Sequence, residues 1–272
     1  ARLGITDWLP GRPDRPDQPL SRPKLVMQLP LEETTIAERF KAAGYATGHI
    51  GKWHLGGEGF GPEKQGFDVN IAGDHTGTPR SYFAPYRGGK QGEVAAVMPG
   101  LENAPTGEYL TDRLTAEAEK FIEAHRAQPF FVYLPHYGVH TPLKAKAEMI
   151  AAYPSWDGIP HGKQENPIYA AMLESVDASV GRIVAQLEKL GLRENTLVIF
   201  TSDHADALGD HGHIQKWTMY DTVVRVPLLF WSRNLPVRAG RRDDLVQLFD
   251  VAPTILEAAG VDTPPDFEEL SL

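Results

Sequence analysis

The sequence predicts an α/β protein with a mostly parallel sheet, and three observations lead to this class. An amphipathic helix over residues 36–43, preceded by two threonines and ended by Gly44, leads directly into a short strand. Two continuous apolar runs of strand length, residues 129–134 and 196–201, each follow a segment with helical periodicity. Such continuous runs are expected of strands buried on both faces. Such alternation of helices and strands is typical of a parallel sheet covered by helices.

The amino-acid composition limits which classes of function are possible for this chain. The chain has 272 residues, of which 42% are hydrophobic, so it can form one large domain or two small ones. The net charge of −9 argues against a nucleic-acid partner, although a local group of cations can still bind a small anion. No apolar run approaches the roughly 20 residues that span a bilayer. Cysteine is absent from the sequence, which excludes disulfides, thiolate metal ligands and a cysteine nucleophile within this chain but leaves the compartment open.

The remaining elements follow from periodicity and from glycine and proline. Residues 1–30 and 88–108 are predicted to be irregular, as is the stretch 56–87, whose scattered aromatic side chains either line a site or only anchor the loop. Apolar stripes at three- and four-residue spacing predict helices, and a further apolar run predicts a strand. The predicted helices cover residues 109–126, 168–190 and 250–260, and the further strand covers 226–231.

Ionisable side chains follow three of the predicted strands. They are Lys52 with His54, His136 with His140, and Asp203 with His204. Because ligands bind beyond the carboxyl ends of strands in open parallel sheets, we expect these side chains to meet at one edge. The alternative is that each is an ordinary solvated loop residue.

The first and third pairs suit different chemistry. Lys52 and His54 combine a fixed positive charge with a group that donates or accepts a proton, which suits an anionic ligand. Asp203 and His204 offer an oxygen and a nitrogen to one cation, although a buried aspartate bonded to backbone N–H groups is the commoner arrangement. Lys216, twelve residues after His204, is a candidate second cation at this site or a solvated loop lysine.

Five segments of the chain resemble the sulfatase family of the alkaline phosphatase superfamily. GYATGHIGKWH at residues 44–54 resembles the second sulfatase signature, and TLVIFTSDH at 196–204 resembles the metal-binding strand end. The other three segments are residues 130–142, 216–227 and 250–260. The resemblance implies an alkaline-phosphatase-like three-layer sandwich, with a large mostly parallel sheet between helices, over residues 1–272.

The resemblance also implies roles for four side chains. Lys52 and Lys216 would hold the sulfate oxygens and stabilise the charge that develops in the transition state. His54 would assist at the nucleophile. His140 would lie by the leaving-group oxygen and protonate it.

Asp203 and His204 correspond by the same resemblance to two metal ligands. Family members often carry asparagine at the second position, and histidine there is similar to the choline-sulfatase and phosphonate-monoesterase branch. One divalent metal is therefore expected, with calcium favoured by the resemblance and manganese or magnesium possible. Calcium prefers oxygen ligands, whereas an imidazole also suits manganese or zinc.

The chain departs from the family pattern at the nucleophile. Sulfatases make a formylglycine from Cys or Ser in a C/S-x-P-x-R motif, which this sequence lacks, and they supply two further metal-binding aspartates upstream of it. Residues 1–5 resemble the segment just after the nucleophile helix. We therefore expect an incomplete core, without the nucleophile segment and the C-terminal subdomain, that does not turn over sulfate esters alone.

The function implied is that of a sulfuric ester hydrolase acting on a sulfate-ester small molecule or saccharide. One alternative is a phosphonate monoester or phosphodiester hydrolase of the same superfamily. Another is a non-catalytic remnant that binds anions. The resemblance favours a periplasmic or secreted location, and the alcohol part of the substrate and the oligomeric state stay open.

Overall fold

The computed structural model describes residues 3–5, 7–9, 11, 15–21, 23–86, 98–153, 166–234 and 239–264. The chain forms two compact units, Ala1–Pro142 and Leu143–Leu272. Each unit has its own sheet and helices. None of the helices in the described ranges is long and apolar enough to cross a membrane.

A three-stranded parallel sheet organises the first unit. Its strands lie in the order β2-β1-β3, and β1 is completely buried between its two neighbours. In the register, Gly48 of β1 lies opposite Val69 on one side and Val132 on the other. The strands are β1 (Ala46–Ile50), β2 (Val69–Ile71) and β3 (Phe130–Tyr133). The parallel pairing predicted for this part of the chain is confirmed.

Two helices cover opposite faces of this sheet. Helix α1 (Ile36–Ala42) begins with a capping box between Thr35 and Glu38. It stacks Phe40 on Phe131 at a centroid distance of 4.6 Å. Helix α2 (Leu110–Ala124) places Phe121 against Gly48, where a Cβ would lie 2.9 Å from the ring. Because neighbouring strand positions point to opposite faces, these contacts give the unit a helix–sheet–helix arrangement.

Two expectations for this unit are wrong. Residues 56–87 were expected to be irregular throughout, yet they contain β2 and a 3₁₀ turn over Pro62–Lys64. Strand β2 is only three residues long, too short for a periodicity to stand out. Strand β3 was expected to be buried on both faces, but it lies at the edge of the described sheet and Tyr133 is 49% exposed.

The second unit is built around the 23-residue helix α4 and a two-stranded sheet. Asn166 caps α4 by accepting from the N–H groups of Ile168 and Tyr169, and Pro167 occupies its first turn. The elements are α3 (Ala147–Ile150), α4 (Pro167–Lys189), β4 (Val198–Thr201), α5 (Asp221–Val224), β5 (Leu228–Trp231) and α6 (Val251–Ala258). The helices predicted at 109–126, 168–190 and 250–260 are thus present with ends shifted by one or two residues.

The sheet of the second unit corrects two further expectations. Strands β4 and β5 pair antiparallel, with Val198 opposite Trp231 and Thr201 opposite Leu228, so this pair is not part of a parallel arrangement. Strand β4 was expected to be buried on both faces, but Phe200 and Thr201 are exposed. Much of the loop predicted over 88–108 lies outside the described residues, and its described part, 98–108, is irregular.

Candidate active-site residues

The turn after β1 joins the ends of β1 and β3. Gly51 has φ +136° and donates its N–H to the carbonyl of Ile71 at 2.8 Å, and Lys52 donates its N–H to the carbonyl of Pro135 at 2.8 Å. A Cβ at Gly51 would lie 2.1 Å from the Pro135 oxygen, so only glycine fits this crossing. Two of the three predicted strand ends therefore lie together, and the half-buried Lys52 side chain starts from this crossing.

His54 is held in a left-handed backbone conformation with φ +59°. Its N–H donates to the carbonyl of Asp74 at 2.8 Å, and its ring lies against Gly77, where a Cβ would approach Nδ1 to 2.4 Å. The Nε2 atom lies 2.5 Å from the carbonyl oxygen of Leu9. Because a carbonyl only accepts, Nε2 carries the proton in the neutral ring, and Nδ1 is the nitrogen that can take up a second one.

His140 ends a tight turn beyond β3. Its N–H donates to the carbonyl of Tyr137 at 2.9 Å, and its Nδ1 lies 2.8 Å from the carbonyl oxygen of Thr141, which also accepts from the Thr78 hydroxyl. The Tyr82 hydroxyl shares its proton between the carbonyls of Tyr137 and His140. Nδ1 therefore carries the proton in the neutral ring, and Nε2 is the nitrogen that can take up a second one.

The 74–82 loop contacts both of these histidine-bearing segments. Gly77 lies against the ring of His54, and Tyr82 lies beneath the His140 turn. The sequence leaves open whether the aromatic residues of this stretch line a site or anchor a loop. In the structure, Tyr82 anchors the turn that carries His140. The aromatic and glycine residues of this loop indicated in the sequence that it could belong to a site. They did not distinguish Tyr82 from the other aromatic residues.

Buried histidines lie close to this part of the first unit. His49, on β1, is completely buried, and its ring makes edge contacts with aromatic rings. Those rings belong to Trp53, Phe67 and Tyr133. Burial lowers the pKa of His49 to about 4, against smaller opposing effects of the Lys52 backbone and the Asn70 side chain. Burial likewise lowers the pKa of His136 to about 4, so both rings are neutral at pH 7.

In the second unit, Asp203, His204 and Lys216 form one cluster. The Nε2 atom of His204 lies 3.3 Å from Oδ2 of Asp203 and 3.0 Å from Nζ of Lys216. The Nδ1 atom lies 3.1 Å from the carbonyl oxygen of Ala205 and must donate to it. Nε2 is therefore an acceptor in the neutral ring and takes its hydrogen bond from the Lys216 ammonium.

The Asp203–His204 pair fits two neighbouring positions on one metal ion. Donors bonded to a metal at about 2.1 Å lie about 3.0 Å apart in octahedral and about 3.4 Å apart in tetrahedral geometry, and the observed separation is 3.3 Å. The Asp203 side chain is 73% exposed, so it is accessible to an ion. Across the described ranges, however, no group of three or more potential ligands is assembled, so these residues do not make a complete metal site.

Other polar residues of the second unit are engaged elsewhere. Asp206 hydrogen-bonds Tyr169 of α4, and burial together with this carboxylate raises the pKa of the phenol. The ring of His211 stacks on Tyr220 at 3.9 Å, with His213 at 6.1 Å from the same ring. The six residues with predicted roles thus form two groups, each within its own unit. Lys52, His54 and His140 belong to the first unit, and Asp203, His204 and Lys216 belong to the second.

Comparison with known proteins decides the family. The family model described as Sulfatase matches residues 11–261, which is most of the chain. The chain belongs to the sulfatase family. The mouse N-acetylgalactosamine-6-sulfatase is 30% identical over 261 residues, covering 88% of this chain and 47% of that protein. This sulfatase chain therefore spans about half the length of the curated relatives it matches.

Solved structures give the same fold. The crystal structure of Ps i-CgsB in complex with k-i-k-neocarrahexaose matches the sulfatase chain with a TM-score of 0.72 and 29% identity, covering 90% of this chain and 57% of that one. The phosphonate monoester hydrolase SpPMH from Silicibacter pomeroyi matches with a TM-score of 0.62 and 19% identity, covering 90% and 62%, which is a likeness of fold. The predicted alkaline-phosphatase-like α/β class is confirmed.

Proposed function

We propose that this chain supplies binding and acid–base groups of a sulfuric ester hydrolase. The observation that carries the proposal is the sulfatase match across residues 11–261, together with the turn at Gly51 that brings Lys52 to the ends of two parallel strands. Open α/β proteins bind their ligands at the carboxyl edge of the parallel sheet, and Lys52 places a charged group there.

The two lysines bind the anion in this proposal. Lys52 and Lys216 hold oxygens of the sulfate and stabilise the negative charge that builds up as the ester bond breaks. Lys52 is supported by its half-buried position, which limits screening of its charge by water. Lys216 is supported by its contact with His204, which keeps its ammonium next to the proposed metal ligands.

The two histidines of the first unit move protons. His54 keeps Nε2–H on the Leu9 carbonyl, so Nδ1 is its basic atom and assists the nucleophile. His140 keeps Nδ1–H on the Thr141 carbonyl, so its imidazolium form delivers the Nε2 proton to the leaving-group oxygen and returns to the neutral ring. We propose a formylglycine supplied from outside residues 1–272 as the nucleophile, because the sequence has no cysteine and no serine in the required motif.

Asp203 and His204 hold a divalent metal in this proposal. When bound, such an ion supplies positive charge to a sulfate oxygen. Calcium is favoured by the family, and the imidazole of His204 also suits manganese, with magnesium a further option. The bite of the pair, 3.3 Å, supports a shared ion, and further ligands are required because two donors alone do not complete a coordination sphere.

We propose a sulfated saccharide as the substrate class. The support comes from relatives: the similar curated proteins include an N-acetylgalactosamine-6-sulfatase, and the similar crystal structure contains k-i-k-neocarrahexaose. A phosphonate monoester or phosphodiester hydrolase is the second candidate, and the specific observation in its favour is the imidazole of His204 at the proposed metal site.

The test compares substrates and variants of the product of the complete reading frame. An aryl sulfate should be hydrolysed faster than an aryl phosphodiester or phosphonate, and a chelator should abolish turnover. Lys52→Ala should lower kcat/KM for the sulfate by about 10²–10³-fold, whereas the exposed Lys64→Ala control should not. Faster phosphodiester cleavage would favour the second candidate. Sulfate and metal binding without turnover would leave only an anion-binding protein.

A further inference from the structure

The Tyr82 hydroxyl lies against the backbone of the turn that carries His140. Tyr82 has no exposed surface, and its Oη atom is 2.6 Å from the carbonyl oxygen of Tyr137 and 2.8 Å from that of His140. Burial raises the pKa of this phenol, so it stays protonated and donates. One side-chain donor therefore serves two carbonyl groups of the turn, those of Tyr137 and His140.

The other end of Tyr82 is fixed to a helix. Its carbonyl oxygen accepts from the N–H of Leu110, the first residue of α2, at 2.8 Å. Its ring stacks on Tyr109 at a centroid distance of 6.0 Å. Helix α2 packs on the central strand of the sheet and is therefore held in place. Tyr82 links this helix to the turn that carries His140.

This turn determines which nitrogen of the His140 ring carries hydrogen. The carbonyl oxygen of Tyr137 accepts from both the N–H of His140 and the Tyr82 hydroxyl, which closes residues 137–140. The closed turn leads into Thr141, whose carbonyl oxygen is 2.8 Å from Nδ1 of His140. This contact selects the tautomer with hydrogen on Nδ1 and leaves Nε2 as the atom for proton exchange.

We propose that Tyr82 is a positioning residue for His140, holding the turn so that Nδ1–H stays on the Thr141 carbonyl and Nε2 is the nitrogen that gains a proton to form the imidazolium and then gives it up. The inference rests on the proton-donating role proposed above for His140. Tyr82 itself touches neither substrate nor reacting atoms in this assignment.

The structural part of the proposal is tested without turnover. Histidine-selective ¹⁵N labelling of the full-length protein reports the tautomer of each ring, and His140→Asn assigns the His140 signals. The wild-type ring should carry hydrogen on Nδ1, and finding it on Nε2 would overturn the proposal before any Tyr82 variant is made. Tyr82→Phe should give a mixture of tautomers. Tyr86→Phe, which removes another buried hydroxyl from the same segment, should keep the wild-type spectrum.

The functional part is tested by leaving-group dependence. Proton donation matters most for poor leaving groups, so Tyr82→Phe should lower kcat/KM for phenyl sulfate about tenfold or more but for 4-nitrophenyl sulfate by less than about threefold. Tyr86→Phe should lower neither selectively, and melting temperatures of both variants confirm folding. Equal losses on the two substrates, with an unchanged His140 tautomer, would overturn the positioning role. Absence of wild-type sulfatase activity would instead overturn the proposed function and leave the tautomer experiment decisive for Tyr82.

Discussion

The ammonium of Lys216 lies 3.0 Å from Nε2 of His204, on the atom that the proposed metal would bind. The same Nε2 is 3.3 Å from Oδ2 of Asp203, so the ammonium already bonds one member of the Asp203–His204 pair. A bound metal and the lysine therefore compete for one lone pair. We therefore expect Lys216 to leave His204 when a metal binds there, which would make its charge available to a substrate anion.

Removing the Lys216 ammonium should strengthen metal binding. Lys216→Met keeps most of the side-chain volume but removes both the charge repulsion and the competing hydrogen bond, so manganese should bind about tenfold more tightly. Titration calorimetry of the full-length protein measures this directly. Lys189→Met, at an exposed position near the end of α4, is the matched control and should bind manganese like wild type. Unchanged or weaker binding by Lys216→Met would contradict the competition.

Substitutions of His54 should separate backbone strain from lost chemistry. Asparagine tolerates the φ of +59° far better than valine does. The free energy of unfolding of His54→Asn should therefore lie within about 1 kcal/mol of the wild-type value, and that of His54→Val should be at least about 1 kcal/mol below that of His54→Asn. Both variants lose the imidazole, and both should lower kcat for a sulfate ester by about 10²-fold or more. Denaturant unfolding and steady-state kinetics provide the two measurements. Normal kcat in the Asn variant would remove His54 from the proposed reaction.

Gly51 should be far less replaceable than another glycine with positive φ. Gly51→Ala would place a Cβ 2.1 Å from the backbone oxygen of Pro135, which side-chain rotation cannot relieve, and should lower the free energy of unfolding by about 3 kcal/mol or more. Gly59→Ala also has positive φ, +80°, but meets nothing within 4 Å and should lower it by about 1 kcal/mol. Chemical denaturation of both proteins measures the difference. Equal losses of unfolding free energy in the two variants would mean that the turn at Gly51 moves away from Pro135 easily.

Burial of His49 should make stability depend on pH. Its pKa is about 4 in the folded chain and about 6.5 when unfolded, so the unfolded state binds more protons as pH falls below 6.5. Stability is therefore lost between pH 6.5 and 4, with His49 accounting for about 2 kcal/mol between pH 7 and 5. The contribution of His136 has the same sign, because its pKa is lowered in the same way.

The His49 share is isolated by substitution. His49→Phe should reduce the loss of unfolding free energy between pH 7 and 5 by about 2 kcal/mol, measured by urea unfolding at the two pH values. The matched control is His75→Asn, at an exposed position of the same unit. An undiminished pH dependence in His49→Phe would show that the ring is protonated in the folded chain.

Much of the local structure could be predicted from the sequence. Helices α1, α2, α4 and α6 follow from periodicity, and the capping pair Thr35–Glu38 and the proline at the start of α4 are local signals. Strand β2 and the exposure of β4 could not be predicted, because both depend on which strands pair. The antiparallel pairing of β4 with β5 likewise depends on the path of the intervening chain rather than on either strand.

The sequence by itself determined the family, the positions of most of the α/β elements and the six residues with proposed roles, because these depend on residue type and spacing. Only the tertiary structure decided which nitrogen of each histidine carries hydrogen. The partner of His54 is Leu9, 45 residues away, and the donor beneath His140 is Tyr82, 58 residues away. A proton's position is set by the nearest acceptor, which is the distant Leu9 for His54 and the adjacent Thr141 for His140. In both cases a contact from a distant part of the chain is involved, because Tyr82 bonds the turn that carries His140.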